Sequence, residues 1–169
     1  MVYGIVMGHK GMINVYSEPG QGTTFNIYLP ASEKSVVVET ATSSAILKGT
    51  GMVLLVDDEA MVLEVNRDML ESLGYRVLAA GSGQEAIAVY MEKKEQIDLV
   101  ILDMIMAGIS GGETFDRLRE INPDIRVLLS SGYSVNGQAQ EILDRGCRGF
   151  LQKPFTLEGL SRKIKEVIR

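Results

Sequence analysis

Five short apolar runs recur along the chain after residue 51, and each is followed by a segment in which apolar residues return every three or four positions. The runs read MVLLVD, RVLAA, DLVILD, RVLLSS and GFLQK. Runs that are almost continuously apolar are typical of parallel strands buried on both faces, and the segments between them have the spacing of amphipathic helices. The pattern predicts an α/β fold, a doubly wound five-stranded parallel sheet with right-handed helical crossovers.

The first of these helices is predicted from residue 60 to residue 73. Its apolar residues Val62, Val65, Met69 and Leu73 follow one another at three- and four-residue steps. Side chains with this spacing lie on one side of a helix, so we expect them to form its inner face.

The first fifty residues have a different character. Residues 31–50 are rich in Ser, Thr, Ala and Gly and show no sustained period, which indicates a linker. We therefore expect three parts: a short segment at 1–30, a linker at 31–50 and the α/β domain at 51–169.

Charge and composition exclude several functions. The net charge is −5, and the surplus of acidic over basic residues lies after residue 50, which argues against a nucleic-acid partner. One cysteine and one histidine cannot form a disulfide or a common zinc site, and they fit a reducing, cytoplasmic setting. No apolar run approaches the ~20 residues that a membrane span needs, so we expect no membrane contact by this chain.

Polar side chains follow four of the five predicted strands. In doubly wound sheets the carboxyl ends of the strands form the ligand site, which would bring together Asp57, Asp58, Asp103, Ser131 and Lys153. Adjacent carboxylates tolerate one another when a hard cation such as Mg²⁺ binds them. Asp103 is the best candidate for a nucleophile toward phosphorus, with Lys153 and Ser131 as the groups that hold the transferring phosphoryl oxygens.

Four motifs, VLLVDDE, DLVILDMIMAGISG, VLLSSGYS and GFLQKPF, in this order, resemble the receiver domain of bacterial response regulators. The resemblance covers about Gly51–Arg169. It implies a flavodoxin-like sheet in the order 2-1-3-4-5. It also implies Mg²⁺ at Asp57, Asp58, Asp103 and the backbone carbonyl of Ile105, with no organic cofactor.

The same resemblance implies roles for further residues. Asp103 would be phosphorylated by a phosphohistidine, so the expected partner is a histidine kinase or a phosphotransfer protein. Ser131 and the aromatic Phe150 would form the switch that changes on activation, and the Lys153–Pro154 peptide bond would be cis.

The sequence departs from the family pattern in the loop after Asp103. Ala107 and Ser110 stand where the family often has proline and aspartate, which predicts altered loop stiffness and kinetics. Ile105 and Tyr133 occupy positions that in the family control the access of water to the phosphoaspartate. Their bulk suggests a long-lived phosphoryl state.

Residues 1–30 resemble the extreme C-terminal end of the ATP-binding domain of a sensor histidine kinase, with the tail of a helix followed by a hairpin built on VYSEPGQGTTFNIYLP. Without the other motifs of that domain, this segment is expected not to bind ATP. Together, the parts resemble the C-terminus of a hybrid sensor histidine kinase. The hairpin would expose an apolar face, so we expect it to pack on its own receiver or to form a homodimer through residues 1–30.

Two other functions fit parts of the pattern. An interaction module could use the receiver fold without phosphorylation, although the intact acid set and Lys153 argue against it. A phosphatase of the haloacid dehalogenase type would need its nucleophilic aspartate after the first strand and a general-acid aspartate two residues later, where Glu59 stands instead.

Overall fold

The computed structural model describes residues 2–31, 46–132 and 137–168. The chain forms two compact units, Met1–Ser43 and Ser44–Arg169. Their division falls within the predicted linker, but residues 32–45 lie outside the described residues, so the linker stays a prediction. None of the helices in the described ranges is long and apolar enough to cross a membrane.

The first unit contains one short helix and the predicted hairpin. Helix α1 (Val2–Gly8) is followed by the antiparallel strands β1 (Met12–Glu18) and β2 (Gly22–Tyr28). The register pairs Ile13 with Ile27 and Val15 with Phe25. Because paired residues project from the same face of a sheet, one face of this hairpin is apolar.

The second unit is the predicted doubly wound domain. Its strands form one parallel sheet in the order β4-β3-β5-β6-β7, which is the expected order 2-1-3-4-5. The elements are β3 (Met52–Val56), α2 (Ala60–Ser72), β4 (Arg76–Ala80), α3 (Gly83–Lys93), β5 (Leu99–Asp103), α4 (Gly111–Ile121), β6 (Val127–Ser131), α5 (Gly137–Asp144), β7 (Gly149–Gln152) and α6 (Leu157–Ile168). The predicted fold class is confirmed.

Helices cover both faces of this sheet. Alternate strand residues such as Leu54 and Leu129 pack in one cluster with buried residues of α3, α4 and α5. Their neighbours Leu55 and Leu128 pack in a second cluster with buried residues of α2 and α6. Burial on both faces explains why the central strands β3, β5 and β6 read as continuous apolar runs.

The predicted inner face of α2 is partly wrong. Leu73, just after the helix, is buried as expected, but Val65 is 58% exposed. The helix itself buries Asn66 and Leu70, one position further along the chain. Apolar residues lie on both sides of this helix, so spacing alone did not identify the side that faces the sheet.

Candidate functional site

The carboxyl edge of the sheet brings together two aspartates and a lysine from distant parts of the chain. Asp57 follows β3, Asp103 ends β5 and Lys153 follows β7. The Lys153 ammonium lies 2.6 Å from Asp57 Oδ2 and 2.6 Å from Asp103 Oδ1. Both aspartates are buried, and the lysine side chain is only 22% exposed. Three of the five predicted site residues therefore form one ion cluster.

Backbone amides orient both carboxylates. Asp57 Oδ1 accepts a hydrogen bond of 3.0 Å from the Glu59 amide, and Asp103 Oδ2 accepts one of 2.9 Å from the Ile105 amide. Each carboxylate thus gives one oxygen to the backbone two residues on and the other to Lys153. This pattern holds both groups in place before any ligand binds.

Asp58 occupies a different position at the same edge. Its side chain is exposed, and its Oδ2 accepts a hydrogen bond of 2.7 Å from the Ala107 amide. Asp58 therefore links the end of β3 to the loop that follows Asp103.

Burial and charge shift the pKa values of the cluster. Burial raises the pKa of Asp103 above its ordinary value of 3.8, and Asp57 adds to the rise, while Lys153 and the Ile105 amide oppose it. Burial lowers the pKa of Lys153, but its hydrogen bonds and charge interactions with Asp103 and Asp57 outweigh this effect and leave the pKa raised. The lysine therefore stays protonated at neutral pH.

Oxygen donors of the type that Mg²⁺ prefers are present at this edge. Mg²⁺ is commonly bound by one or two carboxylates and keeps several waters. Across the described ranges, however, no group of three acidic, histidine or cysteine side chains is arranged to hold a metal ion. Asp57 and Asp103 each turn one oxygen to Lys153, and Asp58 turns one to the loop. The donor types fit Mg²⁺, and its binding by these residues and the Ile105 carbonyl stays a prediction.

The predicted switch residues lie on the two neighbouring strands. Ser131 ends β6 and is buried, and its backbone carbonyl accepts a hydrogen bond of 2.7 Å from the Lys153 amide. Phe150 on β7 is half-buried against the cluster that contains Leu129. The Lys153–Pro154 bond is cis, as expected. The switch role itself stays a prediction.

Of the two residues predicted to control the access of water to Asp103, the structure describes only Ile105. The Ile105 side chain is exposed, as control of solvent access would require. Tyr133 lies outside the described residues. The predicted long phosphoryl lifetime therefore stays a prediction.

Sequence reasoning missed two features beside this site. Ser130, one residue before Ser131, is buried at the level of Asp103. An apolar hollow of about 350 Å³ lies between α2 and the loop after β7, and its lining includes Lys153. The sequence did offer one signal for Ser130, because it is a second serine in an otherwise apolar strand. It offered none for the hollow, which depends on the orientation of α2.

This fold, with two buried aspartates and a lysine at the carboxyl edge of the sheet, defines the receiver class of signalling domain. The model of the response regulator receiver domain matches residues 53–165, and the chain belongs to this family. It functions in two-component signal transduction.

Among curated proteins, the sensor kinase CckA of Brucella abortus is 37% identical over 180 residues, which cover 99% of this chain and 19% of the kinase. The regulator PhoB of Pseudomonas aeruginosa is 34% identical, with 69% of this chain and 51% of PhoB covered. The chain thus spans only part of each relative. Because the kinase alignment includes both units, the predicted origin in a hybrid sensor kinase is confirmed.

Solved structures agree with this assignment. A receiver domain from Clostridium thermocellum has a TM-score of 0.64 and 30% identity, covering 70% of this chain and 94% of that domain. The receiver domain of the hybrid histidine kinase CckA has a TM-score of 0.59 and 33% identity, covering 70% of this chain and all of that domain.

Proposed function

We propose that the second unit accepts a phosphoryl group from a phosphohistidine onto Asp103, with Mg²⁺ at the same edge. The observation that carries this proposal is the buried contact of Lys153 with both Asp57 and Asp103. The proposed nucleophile and a second carboxylate each lie within hydrogen-bond distance of the same cation. Phosphoryl transfer depends mainly on such positioning and charge stabilisation.

In the proposed reaction, an oxygen of the Asp103 carboxylate forms a bond to phosphorus while the bond from phosphorus to the donor imidazole nitrogen breaks. The imidazole keeps the electron pair of that bond and takes up a proton. The Lys153 ammonium and the Ser131 hydroxyl hold oxygens of the transferring group. Mg²⁺ held by Asp57, Asp58, Asp103 and the Ile105 carbonyl would supply further positive charge.

We further propose that the donor protein docks on the apolar hollow beside the site. Exposed and half-buried residues of α2 and the loop after β7 form most of its lining, together with Lys153: Met61, Val62, Val65, Met69, Pro154 and Phe155. A phosphohistidine can reach Asp103 only if its own protein covers the adjoining surface. An apolar surface next to the nucleophile suits an amphipathic helix that carries the histidine.

The proposed setting is the cytoplasm, which the single free cysteine, Cys147, supports.

The test is to incubate the chain with Mg²⁺ and acetyl phosphate and to record its intact mass. The parent chain is expected to gain one phosphoryl group, and Asp103→Asn is expected to gain none. If the parent gained none while Mg²⁺ was demonstrably bound, the protein would be an interaction module with a receiver fold.

A further inference from the structure

Ser130 presents a buried hydroxyl that has no partner. The residue is 3% exposed, and its Oγ makes no hydrogen bond within the residues that the structure describes. Its backbone carbonyl is engaged, because it accepts a hydrogen bond of 3.0 Å from the Met104 amide. Leaving a buried hydroxyl unpaired costs stability, so a second arrangement in which it is paired would be favoured.

The sheet register places this hydroxyl on the same face as the ion cluster. Ser130 is the Cα partner of Asp103 on β5 and of Leu151 on β7. Leu128 and Leu151 pack in the same core cluster, on the face covered by α2 and α6. Alternation along β6 therefore turns Ser130 to that face, beside Asp103.

The Lys153 side chain must pass over β6 to reach its partners. It starts beyond the end of β7, and Asp103 lies two strands away on β5, a separation of about 10 Å between strand axes. Strand β6 lies between them, and Ser130 is the last residue of β6 on the face where the ion cluster lies. The path of the lysine therefore crosses the side of the sheet on which the Ser130 hydroxyl projects.

We propose that Ser130 is a positioning residue for Lys153. An ammonium has three N–H donors, and in the structure Lys153 uses two of them on Asp57 and Asp103. If those carboxylates bound Mg²⁺, Lys153 would lose these acceptors and would donate to Ser130 Oγ instead. The lysine then stays at the edge of the sheet, ready for a phosphoryl oxygen. The change of acceptor rests on the Mg²⁺ binding within the proposed function, and only this last consequence rests also on phosphoryl transfer.

The experiment compares Ser130→Ala with the parent chain in two measurements. Without Mg²⁺, thermal unfolding of Ser130→Ala should occur at the same or a higher temperature, because the hydroxyl removed has no partner. Calorimetric titration with Mg²⁺ should show an affinity about tenfold weaker than that of the parent, because Lys153 then has no Ser130 hydroxyl to donate to. Ser130→Thr keeps the hydroxyl and should restore most of the affinity.

Ser161→Ala is the matched control. Ser161 is also buried, but its hydroxyl donates to the Glu158 carbonyl at 2.9 Å within its own helix. This variant should unfold at a lower temperature and bind Mg²⁺ as the parent does. Ser130→Ala should thus change Mg²⁺ affinity without loss of stability, and Ser161→Ala should lose stability without a change in Mg²⁺ affinity.

Equal Mg²⁺ affinities of the parent and Ser130→Ala would overturn the inference, and so would a parent chain that binds no Mg²⁺. Failure of the parent to take up a phosphoryl group would instead refute the proposed function. The Mg²⁺ comparison would still decide the role of Ser130.

Discussion

Asp57 and Asp103 share the single ammonium of Lys153, so two buried carboxylates have one cation between them. With both acids ionised, this cluster carries one negative charge that no contact within it neutralises. Burial of such a charge is costly, which is the physical reason for the raised pKa of Asp103. A cation that binds at this edge relieves the cost.

Asp103→Asn is therefore expected to raise the thermal stability of the chain at pH 7 by a few degrees. Asparagine keeps the size of the side chain and an acceptor for the Ile105 amide. The fold disfavours the ionised form of Asp103, so ionisation costs stability above the ordinary pKa of 3.8. Thermal unfolding at a series of pH values should show the difference between variant and parent shrinking as the pH falls toward 3.8.

Asp68→Asn is the control for this measurement, because Asp68 is exposed on α2. It should unfold close to the parent at every pH. A less stable Asp103→Asn, or a difference that does not change with pH, would contradict the predicted cost of ionisation.

Single residues also show where sequence reasoning reaches its limit. Asp57, Asp103 and Lys153 were predicted because the carboxyl ends of parallel strands meet at one edge. Ser130 and Ser131 are adjacent residues of the same type, and only the register of β6 against β5 places Ser130 beside Asp103. That register depends on packing between distant strands, which no local pattern records.

At the scale of elements, α2 shows why strands were easier to predict than helix faces. The central strands β3, β5 and β6 are buried along their whole length and the edge strands β4 and β7 are mostly half-buried, so apolar runs identified all five. Helix α2 carries apolar residues on its inner side, such as Leu70, and on its outer side, such as Met61. The sheet and α6 decide which side is covered, and residues at the margin of that covered side line the hollow beside Lys153.

The exposed side of α2 leads to a prediction about transfer between proteins. Met61 is 80% exposed, so Met61→Ser should leave stability unchanged. If the donor docks on this surface, phosphoryl transfer from a phosphohistidine protein should slow by about tenfold, while labelling by acetyl phosphate stays at the parental rate. Autoradiography of samples quenched at successive times measures the rate of transfer from the phosphohistidine protein. Intact mass at successive times measures the rate of labelling by acetyl phosphate.

Met91→Ser provides the comparison, because Met91 is 64% exposed on α3, which covers the other face of the sheet. Its transfer rate should equal that of the parent. Equal slowing by both methionine variants would argue against docking on α2.

At the scale of the whole molecule, the first unit leaves much apolar surface open. Val15 and Phe25 are partners on the apolar face of the hairpin, and both are exposed. A two-stranded sheet is marginally stable without cover, so this face is expected to pack on its own receiver or on a second copy of the chain, and of these two we propose the homodimer. Sedimentation velocity should show a dimer whose fraction rises with concentration.

The double variant Val15→Ser with Phe25→Ser should return the chain to a monomer. Tyr16→Ser is the matched control, because Tyr16 is exposed on the opposite face of the hairpin, and this variant should still dimerise. A parent chain that is monomeric at every concentration would contradict the homodimer and favour cover by its own receiver.

The ion pair between Asp57 and Lys153 joins residues 96 positions apart. During synthesis, a nascent chain that has left the ribosome only as far as β6 holds both aspartates but not the lysine. The cluster can form only after β7 and the following loop emerge and β7 pairs with β6. Partly made receivers therefore lack the assembled ion cluster, which exists only once this part of the chain is folded.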